Sequence, residues 1–204
     1  MKIVKRISIL FVLISLFSVL NACTNNTDDD LNSLVLEQQE KEALLYMLEE
    51  EKLARDTYTY LDSKYSNTPF GNIKKSEQSH MNAIENLLIK ANENPTILPS
   101  GVFANQDLQN LYNQLTTEGS LSLIKALQVG ATIEDLDIVD LEKYKATTTN
   151  ASILNVFNSL QCGSRNHLRS FVSAIANIGG SYTPQFLTQT EYNAILAGNQ
   201  EQCN

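Results

Sequence analysis

The sequence predicts an all-α protein whose core is a four-helix bundle. Three observations lead there. Long stretches combine Leu, Ala, Glu, Lys and Gln with apolar residues recurring at steps of three and four. Glycine and proline are scarce, eight and four in 204 residues, and no run alternates with the period-two pattern of a strand. At 43% hydrophobic and 19% charged, the chain is ordinary globular material with room for one sizeable core.

The N-terminal residues stand apart from that core. Lys2, Lys5 and Arg6 precede a mostly apolar run from Ile7 to Leu20 that is too short for a membrane span and reads as a secretory signal. It ends in Leu20-Asn21-Ala22-Cys23, which resembles the bacterial lipoprotein box. Residues 1–22 are therefore expected to be a lipoprotein signal peptide, with Cys23 the lipidated residue. Residues 23–33, including Thr24 to Asp30, form an acidic stretch with almost nothing to pack, expected to be a disordered tether. An acidic stretch at this place resembles the surface-export signals of some bacterial lipoproteins, and a plain solvated linker explains it as well. The expected location is the cell envelope, at the outer membrane or cell surface, with the lipid as the only membrane contact. Loss of Lys2, Lys5 and Arg6 takes the formal charge from −8 to −11, which argues against a nucleic-acid partner.

Residues 34–204 are expected to form the bundle. The first helix, from about Leu34 to Lys64, has the inward row Leu44, Met47, Glu51, Ala54, Tyr58, Leu61, with Glu49 and Glu50 pointing elsewhere. Ser66-Asn67-Thr68-Pro69 is turn chemistry, so a second helix returns antiparallel with the row Ile73, Glu77, His80, Ile84, Leu87, Ala91. Residues 93–119 carry Pro95, Pro99 and one short helix from Gln106 to Thr117, a connection long enough to cross the bundle and let helices two and three run parallel. The third long helix, about Ser120 to Lys145, has the row Ile124, Leu127, Ala131, Glu134, Ile138, Leu141; Asp135 and Asp140 read as solvated. Asn150 caps the fourth, with the row Ile153, Phe157, Leu160, Ser164, His167, Phe171, Ala174, Ile178, and Gly179-Gly180 stops it. The remainder, with a cap at Thr190, is expected to strap across the bundle end.

The candidate chemistry lies where polar residues interrupt these apolar rows. Glu77 and His80, three apart on one helix, point the same way. A carboxylate in such a row is costly to bury unless a cation satisfies it. The chain has two histidines, and both fall in apolar seams facing Glu51, Glu77 and Glu134. At 1.5 Å per residue Glu51 lies roughly 20 Å from the turn and Glu77 and His80 about 12 to 17 Å, so they can meet at one depth. Asp137, one turn from Glu134, can share the site or be solvated. Tyr58 is a redox-active neighbour or a core tyrosine. Gly163 within the fourth helix implies a close approach or a distortion beside the site. Cys162 and Cys203 are an even pair in an oxidising compartment, open to a disulfide or to two unrelated thiols.

Residues 46–56 (Tyr-Met-Leu-Glu-Glu-Glu-Lys-Leu-Ala-Arg-Asp), Glu77-Gln78-Ser79-His80, Ile133-Glu134-Asp135-Leu136-Asp137 and Gly163-Ser164-Arg165-Asn166-His167-Leu168-Arg169 resemble the ferritin-like family called domain of unknown function 2202. More distantly, the first half resembles rubrerythrin-type di-metal carboxylate proteins. The resemblance spans about residues 40–195 and implies a ferritin-like bundle, without an established activity. By position it carries Glu51, Glu77, His80, Glu134 and His167 over as metal ligands. It also shows a departure: Ser164 stands where a second Glu-x-x-His motif would place its Glu. Asp137 then supplies the missing carboxylate, or one metal alone binds tightly. Three Glu and two His suit Fe or Mn and tolerate Zn.

Two functions follow as expectations. One is a di-metal oxidoreductase, oxidising ferrous iron or reducing peroxide or oxygen. The other is a non-catalytic surface lipoprotein that binds metal or a protein partner. The expected assembly is a monomer or dimer. A hydrolase reading finds no nucleophile elbow and no oxyanion hole beside Ser164.

Overall fold

The structure is a computed structural model and describes residues 34–203; the expected signal peptide, the expected lipidation at Cys23 and the whole of the expected tether fall outside the described residues. Six helices and no strands are found among them: α1 (Gln38–Tyr65), α2 (Thr68–Lys90), α3 (Gln106–Gly119), α4 (Leu123–Lys145), α5 (Ala151–Asn177) and α6 (Gln189–Ala197). The fold is an all-α helical bundle. No described helix is long and apolar enough to cross a membrane.

Capping decides the starts. Helix α1 begins at Gln38, later than the apolar pattern predicts, because Leu34 is tied by its N–H to the Lys90 carbonyl at 2.9 Å and the Glu37 N–H donates to Glu40 at 3.0 Å. It ends where Ser66 takes a left-handed conformation (φ 48°), and α2 starts directly after Asn67 with Pro69 in its first turn. Ser122, not Ser120, accepts from the Lys125 N–H and opens α4. Asn150 accepts from the Ser152 N–H to open α5. Thr188, not Thr190, caps α6.

The long helices pack as two antiparallel pairs, α1 with α2 and α4 with α5. Between the pairs, Tyr46 near the start of α1 packs on Tyr144 near the end of α4 (ring centroids 5.6 Å apart), and the Tyr65 hydroxyl at the other end of α1 donates to the Gly119 carbonyl just before α4. Thus α4 runs antiparallel to α1 and parallel to α2. The connection that makes this possible follows the outer side of α1. Its anchor is Lys52, which is fully buried, pairs with Asp56 at 2.7 Å, donates to the Pro99 and Val102 carbonyls and lies 4.1 Å from the Phe103 ring centroid. Glu49 accepts from the Ala104 and Asn105 N–H groups one turn earlier.

The C-terminal strap runs back along the flank of α4 and α5 instead of across the bundle end. Its seat is Asp135, expected to be solvated but wholly buried: the carboxylate accepts from the Tyr182 hydroxyl and from the N–H groups of Gln185, Phe186 and Leu187. Further on, Glu201 takes both Arg165 and Arg169 of α5, and Cys203 is disulfide-bonded to Cys162 (S–S 2.08 Å).

Beneath the middle of the bundle Tyr58, Phe70 and Phe171 form an aromatic floor with centroids 5.2 to 6.1 Å apart. Phe171 fits only because residue 130 has no side chain: a Cβ there would stand 2.4 Å from the ring. Replacement Gly130→Ala is expected to cost about 1–3 kcal/mol by overpacking, read as a lower urea midpoint. A second expectation concerns Glu201, whose carboxyl the Arg165 hydrogen bonds hold down at about 2. Because the folded value is depressed, its contribution is full above the ordinary carboxylate range and lost as pH falls toward 2. The melting-temperature gap between the wild type and Glu201→Gln should therefore be present at pH 6 and close toward pH 2.

Candidate metal centre

Each of the four long helices sends its interrupting residue to one level of the bundle. Glu51 comes from α1, Glu77 and His80 from α2, Glu134 from α4 and His167 from α5. The His80 Nδ1 lies 3.1 Å from Glu51 Oε2 and 2.9 Å from Glu77 Oε2. The His167 Nδ1 lies 2.9 Å from Glu77 Oε1 and 3.3 Å from Glu134 Oε2. Glu77 therefore stands between the two imidazoles, one oxygen toward each, and the rings stack with centroids 5.6 Å apart. The glutamates are buried and the histidine side chains 11–12% exposed, so the site lies just under the surface. Two groups, Glu51–Glu77–His80 and Glu77–Glu134–His167, each have ligand atoms within 4.8 Å of one another and could hold a metal ion.

The charges in this cluster are strongly coupled. Burial raises the Glu51 carboxyl to about 8 even with His80 beside it. Burial and the neighbouring Glu77 raise Glu134. Burial also pulls both imidazoles down, but the carboxylates outweigh it: Glu51 and Glu77 hold His80 well above its usual value, and Glu77 and Glu134 hold His167 at about 10. Burial works against the Glu77 anion, yet the two imidazoles together keep that carboxyl well below the usual range.

Several atoms remain unbonded. Glu51 Oε1, Glu77 Oε1, Asp137 Oδ1 and His167 Nδ1 are buried without a hydrogen-bond partner. The last is notable because His167 Nδ1 and Glu77 Oε1 are only 2.9 Å apart; they approach without the alignment of a hydrogen bond. Two ligands each about 2.1 Å from one ion and at right angles would stand about 3 Å apart. The spacing fits donors converging on a shared cation.

Around this centre, Tyr58 is a fully buried core tyrosine, as one of the two expectations had it, and its hydroxyl donates to Glu134 Oε1 at 2.6 Å. Ser164 donates to Asp137, so Asp137 lies against the position from which a glutamate would otherwise reach in. Arg55 pairs with Asp56 and Gln78 and leaves Glu51 to His80. The close approach at Gly163 is that of the His80 ring: a Cβ there would stand 2.7 Å from Nε2.

Besides Asp135, two residues depart from the sequence reading. Glu50 does not point away; it is 2% exposed with both oxygens unpartnered. Asp140, expected in solvent, is 9% exposed. For Glu50 the signal was a second row at the same spacing: Ala43, Met47, Glu50, Ala54, Thr57 and Leu61 also step by four and three, and α1, enclosed by α2, α3 and α4, buries both rows.

Comparison with known proteins decides the family. The model of the family described as "Uncharacterized protein domain (DUF2202)" matches residues 40–199. The chain belongs to the DUF2202 family. A relative, "Uncharacterized protein MJ0754" of Methanocaldococcus jannaschii, is 46% identical over 171 residues, covering 81% of this chain and 91% of the relative. The crystal structure of hypothetical protein MJ0754 from Methanococcus jannaschii superimposes with a TM-score of 0.80 at 45% identity, over 82% of this chain and 97% of that one. The matched region of this DUF2202 domain contains every residue of the two Glu/His groups.

The Gly163 contact is directly testable. Gly163→Ala gains at most about 1 kcal/mol of helix propensity but pushes the His80 ring away from the buried Glu51 and Glu77 carboxylates, so a net loss of about 1–3 kcal/mol is expected. Imidazole NMR signals of His80 should shift and the melting temperature should fall.

Proposed function

We propose that this DUF2202 protein is an envelope-anchored, ferritin-like lipoprotein that binds one or two divalent metal ions, Fe or Mn, and uses them in redox chemistry with ferrous iron, peroxide or oxygen. The observation that carries the metal reading is the pair of buried Glu/His groups sharing Glu77, with unbonded donor atoms spaced as ligands. Even with both imidazoles protonated, Glu51, Glu77, Glu134 and Asp137 leave carboxylates in surplus, and a cation relieves that surplus.

The donor set matches the group it would hold. Glu51 and His80 would hold one ion and Glu134 and His167 another, with Glu77 belonging to both groups. Mixed carboxylate and imidazole ligation suits Fe or Mn and accepts Zn. A redox-active ion bound there would supply electron transfer to peroxide or oxygen. The protein's part is to hold the imidazoles against the carboxylates, to fix Glu134 through the Tyr58 hydroxyl and to bury the donors under a thin cover. The envelope reading rests on the resemblance of Leu20 to Cys23 to a lipoprotein box, and the expected assembly is a monomer or dimer.

Ser164 favours a second reading. It removes a carboxylate from α5, and its hydrogen bond occupies one oxygen of Asp137, the natural replacement. A centre so reduced suits a non-catalytic lipoprotein that binds metal or a protein partner. Elemental analysis of the purified chain supplied with Fe, Mn and Zn separates the readings. About two Fe or Mn per chain, lost in His80→Ala/His167→Ala, with peroxide-dependent oxidation of the bound metal, supports the redox protein. Metal lost in that variant but without redox cycling supports the second reading. Less than one metal per chain, unchanged in the variant, removes both metal readings.

A further inference from the structure

The Cys162–Cys203 disulfide joins the tail to α5, yet the tail's seat does not depend on it. Glu201 lies just before Cys203, and its carboxylate takes Arg165 and, at 2.7 Å, Arg169. The Glu201 N–H donates to Asn166 Oδ1 at 2.9 Å, and its carbonyl accepts from Asn166 Nδ2 at 3.0 Å. None of these bonds involves sulfur, so they hold Cys203 beside Cys162 whether the S–S bond is closed or open. Asn166 Nδ2 also lies 3.5 Å from Cys203 Sγ, a donor placed to stabilise a thiolate there.

The sulfurs are reachable from solution. Cys162 and Cys203 both line an open cleft of about 510 Å³, with Asn158, Ser159 and Gln202 beside them. Cys203 is exposed and Cys162 only 7% exposed. A thiolate entering the cleft meets Cys203 Sγ first, and Cys162 is the sulfur that leaves. Inward, the disulfide is one peptide unit from the Glu/His centre: the residue after Cys162 is Gly163, where His80 Nε2 comes within 2.7 Å of the place a Cβ would take.

We propose that Cys162–Cys203 is a redox-active disulfide that exchanges with an external dithiol and supplies the electrons for peroxide reduction at the Glu/His centre. This inference rests on the redox reading of that centre. In the exchange, a thiolate of the dithiol bonds to Cys203 Sγ as the S–S bond breaks, and Cys162 leaves as a thiolate that takes up a proton. The second thiol of the reductant then bonds to the first sulfur and its proton passes to Cys203. The protein gains two thiols and the reductant becomes a disulfide. On return, the two thiols give up two electrons and two protons as their S–S bond re-forms. One peroxide takes them up as its O–O bond breaks, and two waters result.

Alkylation and peptide mass spectrometry, counting thiols at Cys162 and Cys203 in the full chain, test it. Dithiothreitol should open the disulfide in the folded protein, with the circular dichroism spectrum kept. Once dithiothreitol is removed, about one equivalent of hydrogen peroxide should close it again in the chain loaded with Fe or Mn and freed of excess metal. Closure there should be roughly tenfold faster or more than in His80→Ala/His167→Ala treated alike. Cys203→Ser should keep its bound metal and lose dithiothreitol-supported peroxide consumption. A disulfide that dithiothreitol opens only when the bundle unfolds overturns the proposal, as does closure at the same rate in the histidine variant of a chain that binds metal. Failure of the centre itself reads differently: elemental analysis then finds no metal in either chain while dithiothreitol still opens the disulfide, and the electron supply falls together with the redox reading.

Discussion

The carboxylate of Glu77 sets the terms for the rest of the bundle. It is buried between two imidazoles, one on its own helix and one on α5, and those imidazoles reach Glu51 on α1 and Glu134 on α4. All four long helices are tied at one depth by a single acidic group. A buried anion with no partner costs several kcal/mol, so the helices must keep a common register or leave it exposed. The aromatic floor of Tyr58, Phe70 and Phe171 and the small residues Gly130 and Gly163 serve that register. They let one ring lie where α4 would otherwise carry a side chain, and let the edge of the His80 ring come close to α5.

Much of this was legible in the chain. Six polar residues interrupt otherwise apolar rows, and period and depth bring five of them, Glu51, Glu77, His80, Glu134 and His167, toward one level. The crossover was equally readable, since residues 93–119 are too long and too rich in breakers for a simple hairpin. Two of the errors share a cause. A row analysis assigns each helix one buried face, and α1 and α4 are covered on more than one side. Glu50 and Asp140 therefore looked solvated although they lie in a second seam. Asp135 was missed for another reason. Its partners are the backbone N–H groups of residues 185–187, and no side-chain pattern announces a carboxylate that will be capped by a loop. The same contact explains why the strap follows the flank: its anchors, Asp135, Arg165 and Arg169, lie in mid-helix.

The two halves of the Glu/His centre are alike but unequal. Helices α1 and α2 bring two glutamates and a histidine; α4 and α5 bring one glutamate, one histidine and a serine where the second carboxylate would sit. Asp137 of α4 is hydrogen-bonded to that serine. Any ion bound by the second half therefore meets a different field from one bound by the first.

Lys52 gives the crossover a chemical signature. Its ammonium is enclosed by Asp56, two backbone carbonyls and the Phe103 ring, with the side chain 2% exposed. An amine-modifying reagent can reach that nitrogen only when the segment around Pro99 and Val102 lifts from α1. Acylation at this lysine thus reports how often the crossover opens, and separates motion of that connection from unfolding of the bundle beneath it.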